Sequence, residues 1–409
     1  MPLLRNWRKK PVTKNSEKRV PALRFKGFTN DWEQCKLGEV TQRVQGNDNN
    51  MNRPVLTISA KTGWMTQSNR FSSIIAGSEK KKYTLLKKGE LSYNHGNSKI
   101  APFGTVFMLN NYSEALVPKV YHSFKANYYM NPYFLELYFH TKKLDPQLRK
   151  FISSSARMDG LLNITYKWFE KIFIFSPQLS EQNKLEKIFL LINKYISLQQ
   201  RKLKDIQLLK KAYLKAIFKS NKSTYKLKDI ADYRRGSFPQ PYGNPKWYGG
   251  DGSLPFVQVI DVAKNLRLYN STKQRISRLA QSKSVFVPKG SILITLQGSI
   301  GKVAITQYDA FVDRTLLIIS NLKKDVDKYY FAYALQDKFN EEKRKAPGGT
   351  IKTITKNALS EFQIKLPKKD IQKKQSSILQ KIDKDIYIIN LKLSELSKFK
   401  QFLLQNMFI

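Results

Sequence analysis

The sequence predicts an α+β protein made of two tandem globular domains with pseudo-twofold symmetry, separated by an antiparallel coiled coil of two long helices. Three observations carry that prediction. "SPQLSEQNKLEKIFLLINKYI" at 176–196 and "LPKKDIQKKQSSILQKIDKDI" at 366–386 align from Pro177 and Pro367 without a gap. Each stretch continues for about 40 residues with no internal Gly or Pro and an apolar side chain every three or four positions, the pattern of a helix about 60 Å long. Outside these helices the chain turns to short runs rich in Val, Ile, Thr and Phe, punctuated by Gly and Asn, as in "FGTVFMLN", "SILITLQGSIGKVAIT" and "RTLLIIS". Such runs have the composition of strands and tight turns.

In chain order, residues 1–20 form a basic tail with no apolar run and no small-residue cleavage site, so a cytoplasmic protein is expected. The first domain spans 21–175, the first long helix 176–219, the second domain 220–366 and the second long helix 367–409. The offset of 190 between the helices also aligns "KLGEV" at 36–40 with "KLKDI" at 226–230, and "ARMDGLLNITYKWFEKIFIFSP" at 156–177 with "APGGTIKTITKNALSEFQIKLP" at 346–367. Between those anchors the halves need compensating insertions: "KKGELSYN" at 87–94 meets "PKGSILIT" at 288–295 at an offset of 201. Each half therefore has shared ends and a private middle, and each middle holds one helix, at "NPYFLELYFHTKKL" and "DKYYFAYALQDKFNEEKR". A repeat this long indicates tandem domains rather than a solenoid.

Helices of that length cannot curl into a small core, so they should pack on each other. The stripe read for the first is Leu185, Ile188, Ile192, Tyr195, Leu203, Ile206, Leu209, Tyr213 and Ile217. For the second it is Ile378, Ile382, Ile386, Ile389, Leu393, Leu396, Phe399, Leu403 and Met407. Ile188, Ile192, Leu203 and Ile206 against Ile382, Ile386, Ile389 and Leu393 are the expected packing residues. Two separate surface helices, each on its own domain, are the alternative.

Charge points to the partner. Lys and Arg number 73 against 31 Asp and Glu, a net +42 spread along the whole chain. A surplus of that size attracts polyanions and gains free energy by counterion release at phosphates. A single cysteine, Cys35, excludes an internal disulfide and a thiolate-rich metal site. The three histidines, His95, His122 and His140, have no metal-ligand spacing.

Motifs for catalysis fail one by one. "NPYF" at 131–134 approaches the loop with which amino-methyltransferases clamp a flipped base, but it lacks the second proline and reads as an N-capped helix start. "QGSIGK" at 297–302 lacks the first glycine and the final Ser or Thr of a phosphate loop, and reads as strand-turn-strand. No acidic cluster for Mg²⁺ and no nucleophile-base pair is evident, so the expected chain is non-catalytic with no metal site.

Two basic domains joined by a helical spacer resemble the DNA-specificity subunits of type I restriction-modification enzymes. The resemblance rests on "VPALRFKGFTNDWEQCKLGEV" at 20–40, "GNPKWYGGDGSLPFVQVIDV" at 243–262, "PKGSILITLQGSIGKVAI" at 288–305, and the two junctions "SPQLSEQNKLEKIF" and "GGTIKTITKNALSEFQIKLP". It covers almost all of the chain after the first twenty residues. Ile371 stands where the first copy has Glu181, and "YNHGNSKIAPFGTVF" is a more distant form of the Gly-turn strand.

The resemblance implies two target-recognition domains, each reading one half of a bipartite, asymmetric duplex. It also implies two methyltransferase subunits, and restriction subunits that use ATP. No cofactor is expected in this chain; S-adenosylmethionine, ATP and Mg²⁺ belong to the partners. Base and phosphate contacts are expected from Asn94, His95, Asn97, Lys99 and Arg157 in the first domain, and from Arg234, Arg235, Gln297, Ser299, Lys302 and Lys352 in the second. His95 equally suits a packed turn, and Trp247 and Tyr248 suit a core. A free-standing methyltransferase or nuclease, and an RNA-binding coiled-coil scaffold, are the rival readings.

Overall fold

The structure, a computed structural model, describes residues 19–70, 77–96, 98–152, 162–219, 223–323, 325–345, 354 and 356–409. No helix among them is long and apolar enough to cross a membrane. The chain divides into two compact units, Met1–Gln199 with Leu393–Ile409, and Gln200–Lys392.

The first unit opens with β1 (Glu33–Lys36), α1 (Leu37–Val40), β2 (Thr41–Arg43), β3 (Leu56–Ser59), β4 (Gly63–Thr66) and α2 (Gln67–Arg70). It continues through β5 (Thr84–Lys87), β6 (Leu91–Asn94), β7 (Thr105–Met108), β8 (Glu114–Val117) and β9 (His122–Ala126). Helices α3 (Pro132–His140), α4 (Asp145–Phe151) and α5 (Tyr166–Phe169) and strand β10 (Phe173–Ser176) lead into the long helix α6 (Leu179–Lys219). A four-stranded sheet runs β2-β9-β6-β7, with β1-β10, β3-β4 and β5-β8 as separate pairs.

In the second unit β11 (Ser223–Lys226), α7 (Leu227–Ile230), β12 (Ala231–Arg235), β13 (Leu254–Val257), β14 (Gln274–Ile276), α8 (Arg278–Gln281) and β15 (Val285–Val287) come first. Then follow β16 (Ile292–Thr295), β17 (Val303–Ile305), β18 (Ala310–Val312), β19 (Leu316–Leu322), α9 (Lys328–Lys345), α10 (Lys356–Ser360), β20 (Gln363–Leu366) and the long helix α11 (Lys369–Asn406). Its main sheet, β12-β19-β16-β17, has the connectivity of the first unit's, and β11 pairs β20 as β1 pairs β10. Those two pairs keep the 190-residue offset at every position, Glu33 opposite Ser176 and Ser223 opposite Leu366. The two private middles thus share a main sheet and a base pair, while the remaining strands join as one sheet, β14-β13-β18-β15, in the second unit and stay as the separate pairs β3-β4 and β5-β8 in the first.

A buried glutamine fixes the base of each unit. In the first, Gln182 donates from Nε2 to the Pro177 carbonyl (2.8 Å) and accepts at Oε1 from the Asn131 N–H (2.8 Å). Asn131 in turn caps α3, its side chain accepting from the Phe134 N–H at 3.0 Å, so "NPYF" is the capped helix start that the sequence indicates. In the second, Gln372 donates to the Pro367 carbonyl (2.8 Å) and accepts from the Asp327 N–H (3.0 Å), and Asp327 accepts from the Tyr330 N–H at the start of α9. One side chain per unit thus ties the strand end, the long helix and the domain helix together. Glu181 adds a bidentate pair with Arg24 at 2.8 Å, whereas its counterpart Ile371 is exposed.

The long helices pack along a seam that differs from the apolar stripe. In α11 the buried positions are Gln372, Ser376, Leu379, Asp383, Ile386, Ile389, Leu403 and Leu404, and Gln372, Ser376 and Asp383 among them are polar. Ile378, Tyr195, Leu209 and Phe399, read as seam residues, are exposed. Ile192, Ile386 and Ile389 are buried, and Ile188, Leu203, Ile206, Ile382 and Leu393 half-buried.

Within the second unit the helices run antiparallel. The Lys210 ammonium lies 2.5 Å from the Asp383 carboxylate, which also accepts from the Tyr333 hydroxyl, and further along α6 Ile217 and Phe218 share a core with Leu379. In the first unit Leu185, Phe189 and Ile192 share a core with Leu403, Leu404, Met407 and Phe408. The domain helix of the first half is interrupted after His140 and resumes at Asp145, where the sequence reads one helix; Lys142 in the break has φ 64°.

Position 190 after Lys210 is Lys400, but position 190 before Asp383 is Asn193. Lys400 accordingly has a different partner: burial lowers its ammonium below the ordinary lysine range, and the nearby Glu136 opposes that shift. Glu136 accepts from the Met108 N–H at 2.7 Å, and burial pushes its carboxyl up from 4.5 to about 7.

Leucine at 372 or at 182 would strand a proline carbonyl and a helix-cap N–H. Gln372→Leu and Gln182→Leu are each expected to cost about 1–3 kcal/mol in denaturant unfolding; unchanged midpoints would contradict the role given to the glutamine. Glu136 sets a pH dependence. Its folded-state pKa is raised, so the neutral acid is favoured and stability falls as pH rises from about 4.5 through about 7. Glu136→Gln, which keeps an acceptor for Met108, is expected to exceed the parent by about 1–3 kcal/mol at pH 8 and to lose that advantage near pH 4.

Candidate nucleic-acid interface

In the second unit, backbone hydrogen bonds gather three segments at one end of the main sheet. Arg235 stands opposite Leu317, Gly236 N–H donates to the Leu316 carbonyl (3.1 Å), and Leu296 N–H donates to the Thr315 carbonyl (2.8 Å). Arg234–Ser237, the turn 296–302 and Arg314–Thr315 thereby become neighbours. Gly236 has no alternative, because a Cβ there would sit 2.2 Å from the Val312 carbonyl oxygen. The turn is held from inside by Thr295, whose hydroxyl donates to the Ser299 carbonyl and accepts from the Lys302 N–H (2.9 Å). "QGSIGK" is thus a strand-turn-strand.

The side chains at this end are mostly free to meet a ligand. Arg234, Arg235, Gln297, Ser299 and Arg314 are exposed. Lys302 is half-buried, with its ammonium 3.3 Å from the Val262 carbonyl. Beside them lies a cleft of about 310 Å³ lined by Tyr233, Arg234, Arg235, Leu296, Leu317, Ile354 and Leu359. Lys246 and Lys283 lie over the Trp247 ring at 4.5 and 5.4 Å, and the Ser237 hydroxyl donates to the Lys283 carbonyl. Trp247 is buried, and Tyr248 stacks on Phe238, as core residues should.

The equivalent end of the first unit requires two corrections. His95 is buried, and its ring nitrogens lie 2.7 Å from the Leu162 carbonyl and 2.6 Å from the Val120 carbonyl. Neither nitrogen is left for a base edge. Asn94 donates to the Ile58 carbonyl and accepts from the Gly96 N–H, so its amide is also spent on the scaffold. His122 stacks on His95 at 5.1 Å, and burial, followed by the charge of that neighbour, lowers it to about 4. Lys99 is exposed. Asn97, Arg157 and Lys352 lie outside the described residues.

Sequence reasoning passed over Arg314, Lys246 and Lys283. The two lysines flank an aromatic surface that becomes a feature only when Lys283 folds back beside Trp247, so no local motif marks them. Among the described residues no group of three or more His, Cys, Asp or Glu side chains is arranged to hold a metal ion.

Comparison with known proteins places this geometry. The family described as "Type I restriction modification DNA specificity domain" matches residues 219–398, which run from the last residue of α6 through β11 and most of α11. Residues 219–398 thus carry a type I restriction-modification DNA specificity domain. A relative, the type I restriction enzyme MjaIX specificity subunit of Methanocaldococcus jannaschii, is 30% identical over 164 residues. That alignment covers 39% of this chain and 37% of the relative's length.

Among solved structures, the S subunit of a type I restriction-modification system from M. genitalium aligns with TM-score 0.63 at 12% identity, covering 95% of this chain and 99% of that one. A chain from a study of complex assembly and conformational transition in the type I R-M system aligns with TM-score 0.52 at 16% identity, covering 92% and 97%. At these identities the likeness is one of fold, and it extends over both units. The specificity domain identified in the second unit shares its main-sheet connectivity with the first, which carries the additional helix α4.

Proposed function

We propose that this chain is the duplex-DNA recognition subunit of a type I restriction-modification assembly. In this reading each unit recognises one half of a bipartite, asymmetric site. Two modification subunits methylate an adenine in each half, and restriction subunits cut remotely. S-adenosylmethionine, ATP and Mg²⁺ act on those partners, while this chain supplies position and sequence.

One observation carries the reading: the same framework is built twice, on the same two long helices, and ends in different residues at equivalent places. Arg234 and Arg235 stand where the first unit, 190 residues earlier, has Val44 and Gln45. Gln297 stands where, at the offset of 201, it has Gly96. A repeated framework offers equivalent docking surfaces to two copies of one partner, and dissimilar reading ends give dissimilar half-sites. The +42 charge supports a phosphate-dominated, salt-dependent affinity for the duplex.

The long helices set the gap between half-sites in this reading. Inserting about four residues into α6 adds about 6 Å, one or two base pairs at about 3.4 Å each. Selection from randomised duplexes should then return the same two half-sites with a gap longer by one or two base pairs. Altered half-sites, preference for RNA over duplex at equal salt, or methylation or cleavage by the purified chain alone would each overturn the proposal.

A further inference from the structure

Arg314 is the exposed arginine whose surroundings are most elaborately built. Its guanidinium carbon lies 5.7 Å from the centroid of the Tyr242 ring. That ring is fixed at both ends. Its hydroxyl donates to Asp313 Oδ2 at 3.0 Å and accepts from Gln258 Nε2 at 2.5 Å, and its face packs on Phe238 with centroids 5.1 Å apart. Asp313 is buried, and its other oxygen accepts from the Thr315 N–H at 2.9 Å and from the Thr315 hydroxyl. Gln258 is anchored by its own N–H on Asp261 Oδ2 at 2.8 Å. Burial, followed by the Asp313 charge, pushes the Tyr242 phenol up to about 12, so it stays a neutral donor. Arg314 itself makes no hydrogen bond or ion pair among the described residues.

We infer that Arg314 reads one guanine of the half-site recognised by the second unit, with Tyr242, Asp313 and Gln258 as positioning residues. The inference rests on the proposed recognition of duplex DNA. A phosphate contact needs only a nearby positive charge, which this lysine-rich chain has in excess. A guanidinium held over an aromatic ring keeps its planar fork of paired N–H groups, the arrangement that matches guanine O6 and N7 in the major groove. The register of the first unit sharpens the contrast. Phe124 lies opposite Leu91 as Ile319 lies opposite Ile292, which places Lys119 at the position of Arg314. Lysine there keeps the charge and lacks the fork.

Selection of randomised duplexes by the full-length chain, with binding measured at several salt concentrations, tests this. Arg314→Lys should lower discrimination at a single position of one half-site by about 10- to 100-fold and leave the other half-site intact. Tyr242→Phe, which keeps the ring but releases it from Asp313, should give a smaller loss at that same position. Thermal unfolding of Arg314→Lys should match the parent. A uniform loss for all sequences on Arg314→Ala, with a salt slope reduced by about 1, would make Arg314 a phosphate contact and overturn the inference. An unchanged motif in Arg314→Lys would also overturn it while leaving the recognition function standing. A parent chain that selects no motif would end both.

Discussion

The buried glutamine at the root of each long helix is the constraint on which the rest depends. Gln182 and Gln372 each satisfy a proline carbonyl that ends a strand and an N–H that begins a domain helix. A proline at that place supplies no N–H of its own, so the chain can leave the strand pair without competing for the amide. The glutamine then links groups on three elements that cannot be satisfied by their own secondary structure. Because one residue serves strand, spacer and domain helix together, the direction of the long helix is coupled to the sheet.

The seams of the long helices show how a repeat can diverge without losing its shape. Lys210 and Lys400 occupy equivalent seam positions, and neither is a residue that a hydrophobic stripe would predict. In the second unit Asp383 answers Lys210 and Tyr333 completes the triad. In the first unit the position of Asp383 holds Asn193, which donates to the Tyr133 hydroxyl at 2.7 Å. The carboxyl near Lys400 is instead Glu136 on α3, a residue of the private middle, whose charge opposes the burial shift of Lys400 while its own burial favours the neutral acid.

The architecture was legible in the sequence wherever the repeat kept its register. The offset of 190 locates β1-β10 and β11-β20 residue for residue, and the offset of 201 superposes Leu91–Asn94 on Ile292–Thr295, the same strand of each main sheet. The seam was less legible because three of its buried positions in α11, Gln372, Ser376 and Asp383, are polar, and an apolar stripe then selects the neighbours, Ile378 in place of Leu379. Of the two readings open for His95, a contact and a packed turn, the structure shows the packed one. Its ring nitrogens suggest a contact, yet the offset that aligns the strands pairs it with Leu296, itself buried. Arg314 was invisible for the opposite reason: its significance comes from Tyr242 and Gln258, far away in sequence, and no local pattern announces a shelf built from three loops.

Position for position, the framework and the exposed end of the main sheet obey different energetics. Replacing a framework residue such as Gln372 or Gly236 strands a polar group or drives a Cβ into a carbonyl, penalties of the class that unfolds proteins. Replacing an exposed residue at the sheet end, such as Arg234 or Gln297, disturbs no packed neighbour and falls in the range of about ±0.5 kcal/mol. The sheet end can therefore change its chemistry, Val44 to Arg234 or Lys119 to Arg314, while the hydrogen bonds beneath it stay the same. His95 marks the limit of that freedom. A ring that bonds Val120 and Leu162 from inside has joined the framework, and from that place it shapes the reading surface only through the loops it holds.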